Sequence, residues 1–147
     1  HHINALHFLA NHQEKVYDKI LLDAPCSSSA KILLSTPGSY KHISESFVSK
    51  LANLQLKLIN SAFKHLKSKG ALVYSTCSLD PKENQLLVQN FLADNHNAKL
   101  ELVSIKQLEK LDYNISVSQD ILQNTLQVLP DKFIESFYIA KMTKLHA

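Results

Sequence analysis

"ALVYSTCSLDPKENQLLV", residues 71–88, passes from a strand-like block into a helix-like one, and that change of pattern decides the fold. "ALVYSTCS" (71–78) is apolar on consecutive residues at its start, as expected of a strand covered on both faces. "DPKE" then predicts a helix start: Asp80 as N-cap, Pro81 at the first helical position and Glu83 three residues after the cap, with the helix continuing to about Leu92. Because Cys77 lies just before this helix, its N-terminus is expected to favour the thiolate.

Upstream, "VYDKILLDA" (16–24) repeats the strand signature, with Ile20, Leu21 and Leu22 as a continuous apolar run ending at Asp23-Ala24-Pro25. Between the two strands, residues 26–43 are serine-rich and contain Pro37 and Gly38, the composition of a long loop. From Ser44 to Lys67 the spacing is helical. Phe47, Leu51, Leu54, Leu58, Ala62 and Leu66 form the expected apolar stripe, and Lys50, Asn53, Lys57, Asn60 and Lys64 form a solvated one. Lys64, His65 and Lys67 suit the last turn of that helix, with Gly70 as its stop. "KLELVSI" (99–105) predicts a third strand and "KFIESFYIAKM" (132–142) a final one, with mixed polar sequence over 106–125. Strand, helix, strand, helix, strand predicts a parallel α/β sheet with right-handed crossovers. The 147 residues are read as one domain or part of one.

Composition narrows the function classes. An apolar fraction of 45% suits a packed core, and 20% charged residues argue against disorder. The net charge of +3 permits a polyanionic partner without demanding one. No run approaches the roughly 18 apolar residues of a membrane span. No basic region leads into an apolar one at the start, so no secretory signal is expected. Cys26 and Cys77 are the only cysteines, a count that suits a reducing compartment rather than a disulfide scaffold. The eight histidines show no metal-ligand spacing, and an Asn-x-Ser match at Asn114 has no meaning without secretion. Gly38 and Gly70 are the only glycines, so a glycine-rich cofactor loop cannot be built from these residues.

In open parallel sheets ligands sit beyond the carboxyl ends of the strands. Asp23 and Cys26 follow the first strand and Cys77 ends the second. Strands that pair lie about 4.8 Å apart, so pairing of these two would turn both thiols toward one pocket. Bland readings stand beside this one. Cysteine is among the most buried residue types, and an aspartate in the position of Asp23 serves equally well as a loop cap. Thr76 and Ser78 read as structural hydroxyls, and Tyr74 reads as a core residue.

"DKILLDAPCS" (18–27) and "LVYSTCSLDPKENQLLV" (72–88) together resemble the paired signatures of the Sun/Fmu-type (RsmB/NOP-type) RNA (cytosine-5) methyltransferases. "LPDKFIESFYIAK" (129–141) resembles that family's last strand. The resemblance implies a Rossmann-like class I methyltransferase sheet, here without its first strands. Residues 1–147 would then be the C-terminal half of a catalytic domain. It also implies an S-adenosyl-L-methionine-dependent enzyme acting on cytosine in rRNA or tRNA. In that chemistry a thiolate adds to carbon 6 and makes carbon 5 nucleophilic. By the resemblance Cys77 is that nucleophile, and Cys26 assists breakdown of the adduct. Asp23 bonds the base and lies near the cofactor's methionyl end, Pro25 shapes the pocket, and Asn4 stands where an aspartate meets the adenine. RNA is the expected partner, with a missing N-terminal portion of the same domain; no membrane and no metal are expected, and the expected compartment is the cytoplasm.

The sequence departs from the family at several places. Ala30, Leu33 and Leu34 stand where a glycine and two arginines are usual, and Ser136 replaces a glycine in the last strand. Fewer cations weaken phosphate contact. A partial sheet also leaves "KILLD" with an open apolar edge. Two rival readings follow: a non-catalytic RNA-binding remnant or scaffold of the same fold, and a thiol redox module using Cys26 and Cys77.

Overall fold

In the computed structural model the described residues are 5–12, 14, 16–31, 38, 43–103, 117–118, 124–130 and 135–146. Helix α1 (Ala5–Asn11) precedes strand β1 (Tyr17–Asp23), and a short 3-10 turn (Ser29–Lys31) follows it. Then come α2 (Glu45–Lys64), β2 (Leu66–Thr76), α3 (Gln85–Asp94), β3 (Ala98–Glu101), β4 (Val117–Ser118), β5 (Leu126–Val128) and β6 (Phe137–Lys144). The sheet runs β1-β2-β6-β5-β4, and β3 also pairs with β6.

The expected all-parallel sheet is corrected. Among the described residues only β1 and β2 pair in parallel; β6 is antiparallel to β2, β3 and β5, and β4 is antiparallel to β5. Apolar patterning marks a buried strand but not its direction, which the connections set. The β1–β2 pair keeps one register from Lys19↔Ala71 to Asp23↔Ser75, so both strands end at the same edge of the sheet.

Below that register the pairing slips. Tyr17 is opposite Leu66, yet Lys19 is opposite Ala71, and Lys69 takes the left-handed conformation (φ 64°) to absorb the extra residues. Gly70 is therefore a strand residue rather than a helix stop. A Cβ there would lie 2.8 Å from the Lys67 carbonyl oxygen and 3.0 Å from that of Asp18, so the close approach requires glycine.

Helix α2 opens on Ser44, whose Oγ accepts the Phe47 N–H (3.2 Å). Its buried face comprises Val48, Gln55, Leu58, Ile59, Ala62 and Phe63, whereas Phe47 (37%) and Leu54 (36%) are exposed. The stripe is thus rotated by about one position from the expected one, because a polar residue, Gln55, takes a core place. At the other end, Lys144 of β6 donates to Leu66 O (2.9 Å) and Phe63 O (3.2 Å), supplying a cation to orphan carbonyls. Lys50, Lys57 and Lys64 are exposed, as expected.

The core lies between α2, α3 and one face of the sheet. Phe63 and Phe91 meet edge to face at 5.2 Å, and Tyr74 and Tyr138 at 6.4 Å. Leu72, Tyr74, Tyr138, Ala140 and Met142 are fully buried on that face. Tyr74 is the core residue expected, and burial pushes its phenol well up. Leu21, on the opposite face of β1, is 72% exposed. Among the described residues β1 is accordingly covered on one face only and lies at the sheet edge, in line with the expected open "KILLD" edge.

Two ends differ from the expected bounds. The third strand stops at Glu101, and residues 104–105 lie outside the described residues. The final strand begins at Phe137 and runs to Lys144, with residues 132–134 likewise outside them.

Candidate active site at the ends of two parallel strands

Because β1 and β2 end in register, the residues that follow them meet. Cys26 Sγ and Cys77 Sγ are 3.1 Å apart, although 51 positions separate them in sequence. Both are free and half-buried. Burial pushes the Cys26 thiol up, the hydrogen bond with Cys77 adds to this, and Cys26 holds its proton more tightly than an exposed cysteine. Ser28, in the left-handed region (φ 53°), brings its hydroxyl to 3.4 Å from Cys77 Sγ.

Asp23 is the last residue of β1 and is exposed. Its Oδ1 accepts the Ser75 hydroxyl (3.1 Å) across the register, and it makes no bond to either thiol. Pro25 is exposed, and its carbonyl accepts the Gln55 side-chain amide (2.8 Å). Asn4, Leu33, Leu34 and Asn114 lie outside the described residues. The structure thus brings Asp23, Pro25, Cys26 and Cys77 to one sheet edge.

The expected capping box at Asp80 does not form. Helix α3 begins at Gln85, with Asn84 at the N-cap position and no side-chain cap bond. Asp80 instead closes a turn through Lys82 N–H to Oδ1 (2.9 Å) and Glu83 N–H to its carbonyl (3.0 Å). That turn stands between Cys77 and the helix, so the thiol does not sit at a helix N-terminus.

Glu83 points inward instead. It is fully buried, and its carboxylate accepts four hydrogen bonds: Ser27 N–H (2.9 Å) and Gln55 Nε2 (2.8 Å) on Oε1, Ser27 Oγ (2.5 Å) and Ser78 Oγ (2.6 Å) on Oε2. Its own carbonyl accepts the Tyr74 hydroxyl at 2.7 Å. Asn84 makes a second buried knot. It accepts from Thr76 Oγ1 (2.6 Å) and donates to Ser78 O (2.8 Å) and Gln127 Oε1 (3.1 Å). Gln127 Nε2 continues to Ser136 Oγ (2.6 Å), which tethers the β5–β6 hairpin to the Cys77 loop. Thr76 and Ser78 are structural hydroxyls, as expected.

Sequence reasoning missed Gln55, Glu83, Asn84, Gln127 and Ser136 as supports of this edge. The available signal was polar residues in positions that should be core, since such groups are buried only when they have partners.

An open apolar cavity of about 320 Å³ lies along β1, lined by Phe8, Leu9, Ile20, Leu22, Leu58 and Ala62, and neither cysteine reaches it. Among the described residues no group of three or more His, Cys, Asp or Glu could hold a metal ion. No described helix is long and apolar enough to cross a membrane.

Similarity to known proteins adds to this geometry. The chain is 38% identical over 138 residues to a tRNA (cytosine(49)-C(5))-methyltransferase of Pyrococcus abyssi, covering 89% of this chain and 43% of the relative. It is 37% identical over 131 residues to ribosomal RNA small subunit methyltransferase F of Shewanella loihica, covering 89% of this chain and 26% of the relative. The chain therefore spans less than half the length of these curated relatives. Its fold matches the crystal structure of NSun6 from Pyrococcus horikoshii with SFG at a TM-score of 0.77 and 29% identity, over 100% of this chain and 34% of that one. That likeness agrees with a Rossmann-like methyltransferase sheet of which this chain is a part. The family model for 16S rRNA methyltransferase RsmB/F matches residues 2–143, and the chain belongs to that family.

Proposed function

We propose that residues 1–147 form part of the catalytic domain of an RNA (cytosine-5) methyltransferase acting on rRNA or tRNA. The observation that carries this reading is the 3.1 Å approach of Cys26 and Cys77 at the shared end of two parallel strands. A buried structural cysteine needs no second thiol, and a redox pair needs no carboxylate beside it. Here Asp23 ends the same strand that leads to Cys26.

In the proposed reaction Cys77 Sγ bonds to carbon 6 of the cytosine, and carbon 5 becomes the nucleophile. S-adenosyl-L-methionine, when bound, supplies the methyl group. Asp23 hydrogen-bonds the base and places negative charge near the methionyl end; its exposed carboxylate suits a cationic donor. Pro25 shapes the base pocket. Once carbon 5 is methylated, its proton leaves to a solvent base and the carbon 6–Sγ bond breaks as the 5,6 double bond re-forms. Cys26, whose thiol keeps its proton and lies 3.1 Å from Cys77 Sγ, assists by hydrogen-bonding the departing thiolate. The described residues supply the strand-end part of a cofactor site and no adenine pocket; Asn4 is the proposed adenine contact.

The rest of that pocket is assigned to a further portion of the same domain. Among the described residues β1 pairs on one side only, Leu21 is largely exposed, and the matched NSun6 structure extends well beyond the shared segment. We place the protein in the cytoplasm, in keeping with its two free thiols.

The test is transfer of labelled methyl groups from S-adenosylmethionine to RNA by the protein as expressed from its own gene. Transfer that is lost in Cys77→Ala supports the reading. Salt-sensitive RNA binding that survives Cys77→Ala, with no transfer by the parent protein, would replace it with the non-catalytic RNA-binding reading.

A further inference from the structure

We propose that Glu83 is a positioning residue that sets the separation of the two cysteines, acting through Ser27 and Ser78 without touching either thiol. The inference deepens the methyltransferase reading and takes its purpose from it, while the geometry stands by itself.

Ser27 follows Cys26 in sequence, and Ser78 follows Cys77. One carboxylate oxygen of Glu83 accepts both serine hydroxyls, at 2.5 and 2.6 Å. The other oxygen accepts the Ser27 backbone N–H and the Gln55 amide, and that same amide donates to the carbonyl of Pro25, just before Cys26. Glu83 thus holds the Cys26 loop directly at Ser27 and the Cys77 loop directly at Ser78, and it reaches Pro25 only through the Gln55 amide that both share. Tyr74 fixes the base of that group to β2 through the Glu83 carbonyl.

A carboxylate suits this task for a definite reason. It offers two oxygens and about four acceptor sites, so it takes all four of these donors at once, whereas a single hydroxyl or amide oxygen accepts only about two. Burial of a carboxylate is costly unless it is hydrogen-bonded, and among the described residues no lysine or histidine pairs with it. The four donors are therefore what keeps Glu83 in place. Local secondary structure does not need it there, because α3 starts after it at Gln85.

The prediction is read on the thiols themselves, with phenylarsine oxide as the probe. This arsenical condenses with two adjacent thiols: two As–S bonds form, and its oxygen leaves with both thiol protons as water, with no change of oxidation state. The parent protein should bind it one to one and tightly. Glu83→Ala should weaken that binding about tenfold or more, because sub-ångström loop shifts disrupt a two-point geometry. Glu83→Gln, which keeps the shape and one carbonyl oxygen, should fall between. Leu100→Ala, a core change on β3, should lower thermal stability yet leave arsenical affinity within about twofold.

If Glu83→Ala does not fold, Ser78→Ala removes one of the two clips and should still weaken binding. The proposal is overturned if the parent protein fails to chelate the probe. It is overturned equally if the folded Glu83 and Ser78 variants chelate as well as the parent, or if Leu100→Ala weakens binding as much as they do. No RNA or cofactor enters this measurement. Loss of the methyltransferase reading would leave it intact, and its own failure would leave methyl transfer untouched.

Discussion

Replacing Asn84 by alanine should expose how strongly the Cys77 loop is anchored. Asn84 is fully buried and serves three partners: Thr76 Oγ1, Ser78 O and Gln127 Oε1. Truncation leaves each without this bond. Thr76 Oγ1 still accepts the Ser78 N–H (3.2 Å), and Gln127 still donates to Ser136, so two of the three keep some compensation. A buried polar group left unpaired costs about 1–3 kcal/mol, and the three share one network, so the total should be about 3–5 kcal/mol rather than their full sum. Asn84→Asp is the sharper variant. It keeps the acceptor for Thr76 but places an oxygen against Ser78 O and Gln127 Oε1, so it should cost at least as much as alanine despite being nearly isosteric. Equilibrium urea unfolding measures both, as a fall in midpoint at constant slope. A cost for Asn84→Ala below about 1 kcal/mol, or an aspartate variant as stable as the parent, would refute the network as an anchor.

Three further outcomes are expected. The raised Cys26 thiol means that the folded protein holds this proton better than the unfolded chain does. Its contribution to stability is complete below the unfolded value of about 8.5 and is lost as pH rises through the higher folded one, so alkaline urea melts should decline less steeply in Cys26→Ser; parallel declines would contradict this. Gly70→Ala should cost about 1–3 kcal/mol by calorimetry, since the new Cβ meets backbone oxygens of Lys67 and Asp18 that cannot move aside cheaply. Lys144→Met should cost about 1 kcal/mol, because the α2 and Leu66 carbonyls lose a charged donor; an unchanged melting temperature would count against that cap.

The strands that carry the site were legible because continuous apolar runs ended abruptly in Asp, Pro and Cys. Their pairing then followed from the helix between them, and the meeting of Cys26 and Cys77 followed from the pairing. What was not legible depended on partners remote in sequence. "DPKE" has the local form of a capping box, but the serines that Glu83 binds include one 56 positions away, and no helical pattern reports that. Gln55 breaks the apolar stripe of α2 for the same reason: its burial is offset by bonds to Pro25 and Glu83 on another loop. The exposed second face of β1 was misread because Ile20-Leu21-Leu22 is equally apolar whether or not something covers it. The antiparallel turn of β6 was missed because "FYIAKM" reads alike in either direction.

The central claim is that Cys77 and Cys26 hold different posts in one covalent reaction on cytosine. Its most direct test is to incubate the protein, as expressed from its own gene, with S-adenosylmethionine and RNA containing 5-fluorocytosine, then map the trapped nucleotide by mass spectrometry. The account predicts an adduct on Cys77, none in Cys77→Ala, and accumulation of adduct on ordinary RNA in Cys26→Ala. A nucleotide trapped on Cys26, or identical behaviour of the two variants, would contradict it.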